Sequence, residues 1–171
     1  MLGPMQQVQR VLVVCMGNIC RSPMASAVLQ AEVERRGLQG RVAVDSAGVY
    51  GGHTGERADS RAVKLARARG YVAIDAERAR AVRPEDFERF DAILAMDEGN
   101  LAQLRRRCPP PQAHKLHLFL DYAGLGFDEV PDPYYGPLQG FENVMAMCER
   151  AAPRVIERLV GLAPEAAPQT L

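Results

Sequence analysis

In VLVVCMGNICRSP (11–23) a continuous apolar run delivers Cys15 into a short loop, and Arg21 closes that loop immediately before a Ser-Pro pair. A loop between a strand end and a helix start aims backbone N–H groups and the positive pole of the helix at one point, which suits a dianion such as phosphate. A thiol held in that field ionises readily and is then a nucleophile. Arg21 adds a planar fork of donors for two phosphate oxygens, a geometry that lysine does not match. The chemistry indicated is attack by Cys15 on a bound phosphoryl group, with loop amides from Met16, Gly17, Asn18, Ile19 and Cys20 to Arg21 cradling its charge.

The spacing itself says little. With four cysteines and 19 arginines in 171 residues, chance supplies roughly 0.4 such pairs, and a second pair, Cys148 and Arg154, does occur. That copy has no preceding strand and no glycine. Around Cys15 a strand comes first, Gly17 permits a left-handed turn, and Asn18 can brace it by local hydrogen bonding. Ser22 has two readings: an N-cap for the helix, or a hydroxyl that donates to the Cys15 thiolate and makes it a better leaving group.

Expelling an oxyanion from phosphorus needs an acid on another loop. VPDPYYG (130–136) supplies Asp132, whose direction is restricted by Pro133. Tyr134 and Tyr135 read either as the wall of an aromatic pocket or as half-buried residues of a surface turn.

Alternating signals must position these residues. VQRVLVV (8–14), RVAVDSAG (41–48), DAILAMD (91–97) and KLHLFL (115–120) read as strands. Helices are predicted from Ser22-Pro23, with Pro23 at N1, to Gly37, then over 58–69, 84–90, 98–106 and 141–162, the last kinked or split at Pro153. Strands separated by helices imply parallel pairing through right-handed crossovers. The fold class is therefore α/β, a four-stranded parallel sheet flanked by helices on both faces as in a flavodoxin-like three-layer sandwich. Ligands of such sheets bind beyond the carboxyl ends of the strands, where the Cys15 loop lies. One domain over 1–171 is expected, with loose tails at 1–7 and 163–171.

Composition narrows the function classes. Zero formal net charge gives no support for nucleic-acid binding. No segment approaches the ~18 apolar residues of a membrane span, no signal-peptide pattern opens the chain, and the cysteine usage fits a reducing cytoplasm. His114, His117 and Cys108 make a poor zinc set, since strand alternation parts the histidines and a fourth ligand is missing. No metal or other cofactor is expected. The Arg105–Arg107 run reads as a solvated helix end favoured by the helix dipole.

CMGNICRSP and DPYYG together, with DSAG (45–48), ADSRA (58–62) and AMDEGN (95–100) between them in order, resemble the low-molecular-weight protein tyrosine phosphatases over roughly residues 8–160. The resemblance implies hydrolysis of phosphotyrosine monoesters, in tyrosine-phosphorylated proteins or small aryl phosphates, through a phosphocysteine. Cys15 would be the nucleophile, Arg21 the phosphate clamp and Asp132 the general acid and then base. Asn18, Ser22 and Ser46 would brace the loop, while Ile19, Tyr50, Tyr134 and Tyr135 would form the substrate rim. Asp59 and Arg61 would border the cleft. It also implies that Cys20 can pair reversibly with Cys15 under oxidation, beside its plain reading as a small buried hydrophobe. Glu77 departs from the pattern, because the family often carries a histidine there that supports the loop. Two related activities stay open on the same fold. A phosphoarginine phosphatase would favour threonine in place of Ile19, and an arsenate reductase would need relay cysteines that 71–107 lacks. A non-enzymatic phosphate-binding module would not need Cys15, Arg21, Ser22 and Asp132 together. Monomer and weak dimer are equally compatible with the rim tyrosines.

Overall fold

The computed structural model describes residues 7–126 and 128–166. Of the tails expected at 1–7 and 163–171, residues 1–6 and 167–171 lie outside the described residues. Four strands form one parallel sheet: β1 (Gln9–Cys15), β2 (Val42–Gly48), β3 (Ala92–Ala95) and β4 (Leu116–Leu118), in spatial order β2-β1-β3-β4. β1 is central and solvent-excluded from Val11 to Cys15, which is why its sequence is an unbroken apolar run.

Alternate β1 side chains enter opposite layers. Val11, Val13 and Cys15 pack with α1 (Arg21–Arg35), α2 (Ser60–Ala68) and α6 (Leu138–Val160). Leu12 and Val14 pack with α3 (Asp86–Arg89) and α4 (Glu98–Arg107). The expected three-layer α/β sandwich is thus the observed one. From β1 the chain steps outward to β2, then returns across to β3 on the other side of β1. The loops that follow β1 and β3 therefore meet at the topological switch point.

Several local expectations change. α1 begins at Arg21 with Cys20 as the residue before it, so Ser22 is not its N-cap and Pro23 falls at the third helical position. A proline is still tolerated there because first-turn N–H groups have no intrahelical acceptor. β4 stops at Leu118, and Phe119–Tyr122 turns into the short helix α5, burying Phe119 and Leu120 instead of extending the sheet. α6 starts at Leu138 and runs unbroken through Pro153. Its buried stripe of Phe141, Val144, Met145, Cys148, Ala151, Ala152, Val155 and Ile156 outweighs the ~3 kcal/mol that an interior proline costs. Two 3-10 helices, Val72–Ala76 and Pro110–Lys115, occupy segments expected as connections.

Glu165, within the segment expected to be loose, is tied down. Its N–H donates to Glu157 Oε2 at 3.0 Å and its carboxylate pairs with Arg35 at 2.7 Å and with Arg36. Arg36 also pairs with the buried Glu157 at 2.5 Å, so the segment at Glu165 is clasped to the far end of α1. Among the described residues no helix is long and apolar enough to cross a membrane.

Candidate active site

The loop after β1 is held by its carbonyls. Cys15 O accepts from Val49 N–H at 3.0 Å, Met16 O from Tyr50 N–H at 2.9 Å, Ile19 O from Asp59 N–H at 2.7 Å and Cys20 O from Met24 N–H at 3.2 Å. None of the N–H groups of residues 16–20 donates to a backbone acceptor among the described residues. With carbonyls engaged by neighbours and successive amides unpaired, the loop is an anion cradle, and no acidic residue in the first turn of α1 offsets it.

Asn18 sets the curvature. It is the non-glycine residue with positive φ among the described residues, at 60°, a region that asparagine tolerates better than most side chains. Gly17, expected to make the left-handed turn, has no such φ. A Cβ there would sit 2.8 Å from His53 Cδ2, so a larger residue would have to displace the His53 ring. A tighter approach occurs beneath the loop at Gly48, where a Cβ would lie 2.7 Å from Met16 O and 3.0 Å from Asn18 N.

The buried Asn18 side chain is fully used. Its Oδ1 accepts from Arg80 N–H at 3.0 Å, and its Nδ2 donates to Ser22 Oγ and Ser46 Oγ, each at 2.8 Å. Because both hydroxyls accept from Asn18, their own hydrogens point onward. Ser46 donates to Glu77 Oε2 at 3.2 Å. Ser22 Oγ lies 3.0 Å from Cys15 Sγ but 3.4 Å from its other neighbour, Ala47 O, so its hydrogen is best spent on the sulfur. Glu77 therefore makes a bond of its own to the bracing network. Burial raises its carboxyl above the ordinary range, against the opposing hydrogen bonds from Ser26 and Ser46.

Arg21 is nearly inaccessible and firmly aimed. Its Nη1 donates to Asp97 Oδ2 at 2.7 Å and to Val130 O at 3.0 Å, while Nη2 stands 3.8 Å from Asp132 Oδ2. Asp97 caps α4 by accepting from Asn100 N–H at 2.7 Å, so one carboxylate fixes both a helix start and the Arg21 guanidinium. Val130 N–H donates to Met96 O at 2.8 Å, which pins the Asp132 loop beside the end of β3. Asp132 is about half exposed, and its Oδ1 accepts from Tyr134 N–H at 3.1 Å.

Cys15, Met16, Gly17, Ile19, Cys20, Arg21, Tyr50, His53, Asp132, Tyr134 and Tyr135 line one cleft of about 410 Å³. Tyr134 and Tyr135 meet edge to face with centroids 4.8 Å apart, and Tyr135 is 94% exposed. Asn18, Ser22 and Ser46 stand behind the loop. Asp59 and Arg61 act from outside the cleft: Asp59 caps α2, and Arg61, paired with it at 2.9 Å, lies 5.4 Å from the Tyr134 centroid and 4.5 Å from that of Phe141. Cys20 is buried, and its thiol is pushed far up, first by burial and then by Asp59, Cys15 and Asp132. The Cys148 copy of the spacing lies within the helix α6, with Cys148 fully buried and no loop between it and Arg154.

Two members were not evident beforehand. Asp97 carries the signal of a helix cap, an acidic residue just before EGNLAQL, but nothing local links it to Arg21. His53 arrives from the loop after β2, and its neighbours in sequence give no hint of it.

Comparison with known proteins agrees with this geometry. The family model described as "Low molecular weight phosphotyrosine protein phosphatase" matches residues 10–161. A low molecular weight protein-tyrosine-phosphatase of Streptomyces coelicolor is 46% identical over 84% of this chain and 88% of its own length. Low molecular weight phosphotyrosine protein phosphatase 2 of Drosophila melanogaster is 44% identical over 88% and 92%. A crystal structure of protein tyrosine phosphatase from Entamoeba histolytica superposes with a TM-score of 0.84 at 40% identity, covering 90% of this chain and 97% of the other. The chain belongs to the low molecular weight phosphotyrosine protein phosphatase family.

Proposed function

We propose that this protein hydrolyses phosphotyrosine monoesters through a phosphocysteine, with Cys15, Arg21 and Asp132 as its reacting groups. The observation that carries the reading is their convergence on one cleft, whose loop amides have no backbone acceptor and whose rim is aromatic.

The phosphoryl dianion sits on the loop amides. Arg21, with Nη1 committed to Asp97 and Val130, offers its Nε and Nη2 edge to two phosphate oxygens. Cys15 Sγ attacks phosphorus in line. The P–O bond breaks toward the phenolic oxygen, which takes the Asp132 proton. Asp132, now a carboxylate, removes a proton from water as that water attacks phospho-Cys15. The S–P bond breaks, inorganic phosphate forms, and the Ser22 hydroxyl stabilises the departing thiolate. Asn18, by donating to Ser22, sets that hydroxyl in place beforehand, so no reorganisation is needed at the moment of reaction. No step calls for a metal or other cofactor.

Ile19 with Tyr50, Tyr134 and Tyr135 favours a phenyl ring over the polar guanidinium of phosphoarginine. Tyrosine-phosphorylated proteins and small aryl phosphates are the substrates this supports. A reducing cytoplasmic setting suits a mechanism that depends on a free thiolate, and catalysis requires no more than one copy of the chain. The test is kcat/KM on matched phosphotyrosine and phosphoarginine peptides, with Cys15→Ser as the inactive reference. Hydrolysis of phosphotyrosine that vanishes in Cys15→Ser is expected. A preference for phosphoarginine, or turnover that survives Cys15→Ser, overturns the reading.

A further inference from the structure

Beside the phosphate cleft lies a second hollow of about 480 Å³, lined by Met16, Val49, Tyr50, Asn100, Gln103 and Arg107 together with Gly99 and Asp97. Met16 and Tyr50 line both hollows. These two side chains are 52% and 57% exposed, so an apolar ridge parts the two sites without closing either. The two hollows are therefore adjacent enough for one polypeptide to span them.

Arg107 is what points to a ligand in the second hollow. It is exposed, one of its nitrogens donates to Val49 O at 2.9 Å, and it pairs with no carboxylate among the described residues. Its guanidinium is thus anchored over the hollow with donors to spare. The one carboxylate in the lining, Asp97, is already neutralised by Arg21 at 2.7 Å. The electrostatic balance of the hollow is therefore positive.

We infer that this hollow is a second substrate subsite, which takes an acidic residue near the phosphotyrosine of a substrate polypeptide. The inference rests on the phosphotyrosine reading above. In it, Arg107 pairs with the acidic side chain, and the Met16–Tyr50 ridge carries the intervening backbone. Arg107 is a specificity residue and touches none of the reacting atoms.

The test uses phosphotyrosine peptides that carry a single Glu, Ala or Lys at each of the four positions on either side of the phosphotyrosine. Within each enzyme variant the readout is the ratio of kcat/KM for the Glu or Lys peptide to that for its Ala counterpart, so changes in basal rate cancel. In the wild type, Glu at one position should raise kcat/KM about two- to fivefold, as an exposed ion pair does. The gain should come through KM and should shrink as salt is added. Arg107→Lys should keep the preference, and Arg107→Glu should transfer it to Lys at the same position. Ratios near one at every position, or a preference for Glu that survives Arg107→Glu, overturn the subsite alone. A wild type inert on all the peptides yet active on para-nitrophenyl phosphate overturns the phosphotyrosine reading, and the subsite with it.

Discussion

Gly48 offers a sharp test of how the Cys15 loop is built. It ends β2 directly beneath the loop, and a Cβ there would meet Met16 O at 2.7 Å and Asn18 N at 3.0 Å. Ordinary contact begins near 3.4 Å, so the Met16 carbonyl must retreat by about 0.7 Å. The atoms in the way belong to the backbone, and hydrogen bonds from Val49 and Tyr50 hold that backbone in place. The φ of Gly48 is ordinary, so Gly48→Ala carries no conformational penalty beyond this overlap. Overpacking of this kind costs about 1–3 kcal/mol. A displacement approaching 1 Å at groups that position a substrate costs on the order of 10²-fold in rate. We expect Gly48→Ala to fold, to melt a few degrees lower, and to lose about 10- to 100-fold in kcat/KM on para-nitrophenyl phosphate. Gly17→Ala should lose less, because the obstacle is the His53 side chain at 2.8 Å, which can swing aside. Gly40→Ala, with nothing within 4 Å, is the silent control. Wild-type kcat/KM and melting temperature in Gly48→Ala would refute the claim that the loop is fixed from below.

Asp132→Ala should cut kcat by about 10²-fold or more on phenyl phosphate and by less on para-nitrophenyl phosphate, whose leaving group needs less protonation; equal losses on both would count against its role as the acid. Glu77→Gln keeps an acceptor for Ser46 but removes a buried charge. Burial raises the Glu77 carboxyl, so the folded chain retains a proton that the unfolded chain has already released. Wild-type stability therefore falls as pH climbs from the ordinary carboxylate range through the raised value. Denaturant titrations should show Glu77→Gln equal to wild type below about pH 4 and more stable at neutral pH, and the opposite order would contradict the assignment. Glu157→Gln strips a buried partner from Arg36. Because Glu32 and Glu165 also reach Arg36, the loss measured by urea unfolding should be about 2 kcal/mol, less than for a lone buried pair, with kcat/KM unchanged.

Much of the fold was legible because its cause is local. The β1 run is apolar at every position because both sheet faces are covered, and the alternation of strands with helices dictates parallel pairing. Where the outcome was a balance of tertiary terms, the sequence misled. Pro153 signals a broken helix, but the buried face of α6 holds it straight. KLHLFL looks like one strand until Phe119 and Leu120 are buried by a helical turn. Ser22 looks like a cap, and only the approach of Cys15 and Asn18 shows where its hydroxyl goes.

The Cys15–Arg21 loop itself divides the same way. Strand, loop and helix in succession determine that a thiol and an anion site coincide, since helix polarity and chain direction are local properties. What the sequence does not contain is the partner of each group. Asp97 on Arg21, Glu77 behind Ser46, Arg80 on Asn18 and His53 beneath the rim come from 32 to 76 residues beyond Arg21 along the chain, carried there by the crossover that sets β3 beside β1 and by the segments joining β2 to it. Residue types and spacing determined that Cys15 would open a loop whose amides and helix start suit an anion. The tertiary structure decided which way the hydrogen bonds around it run, because only packing brings those donors and acceptors into bonding distance.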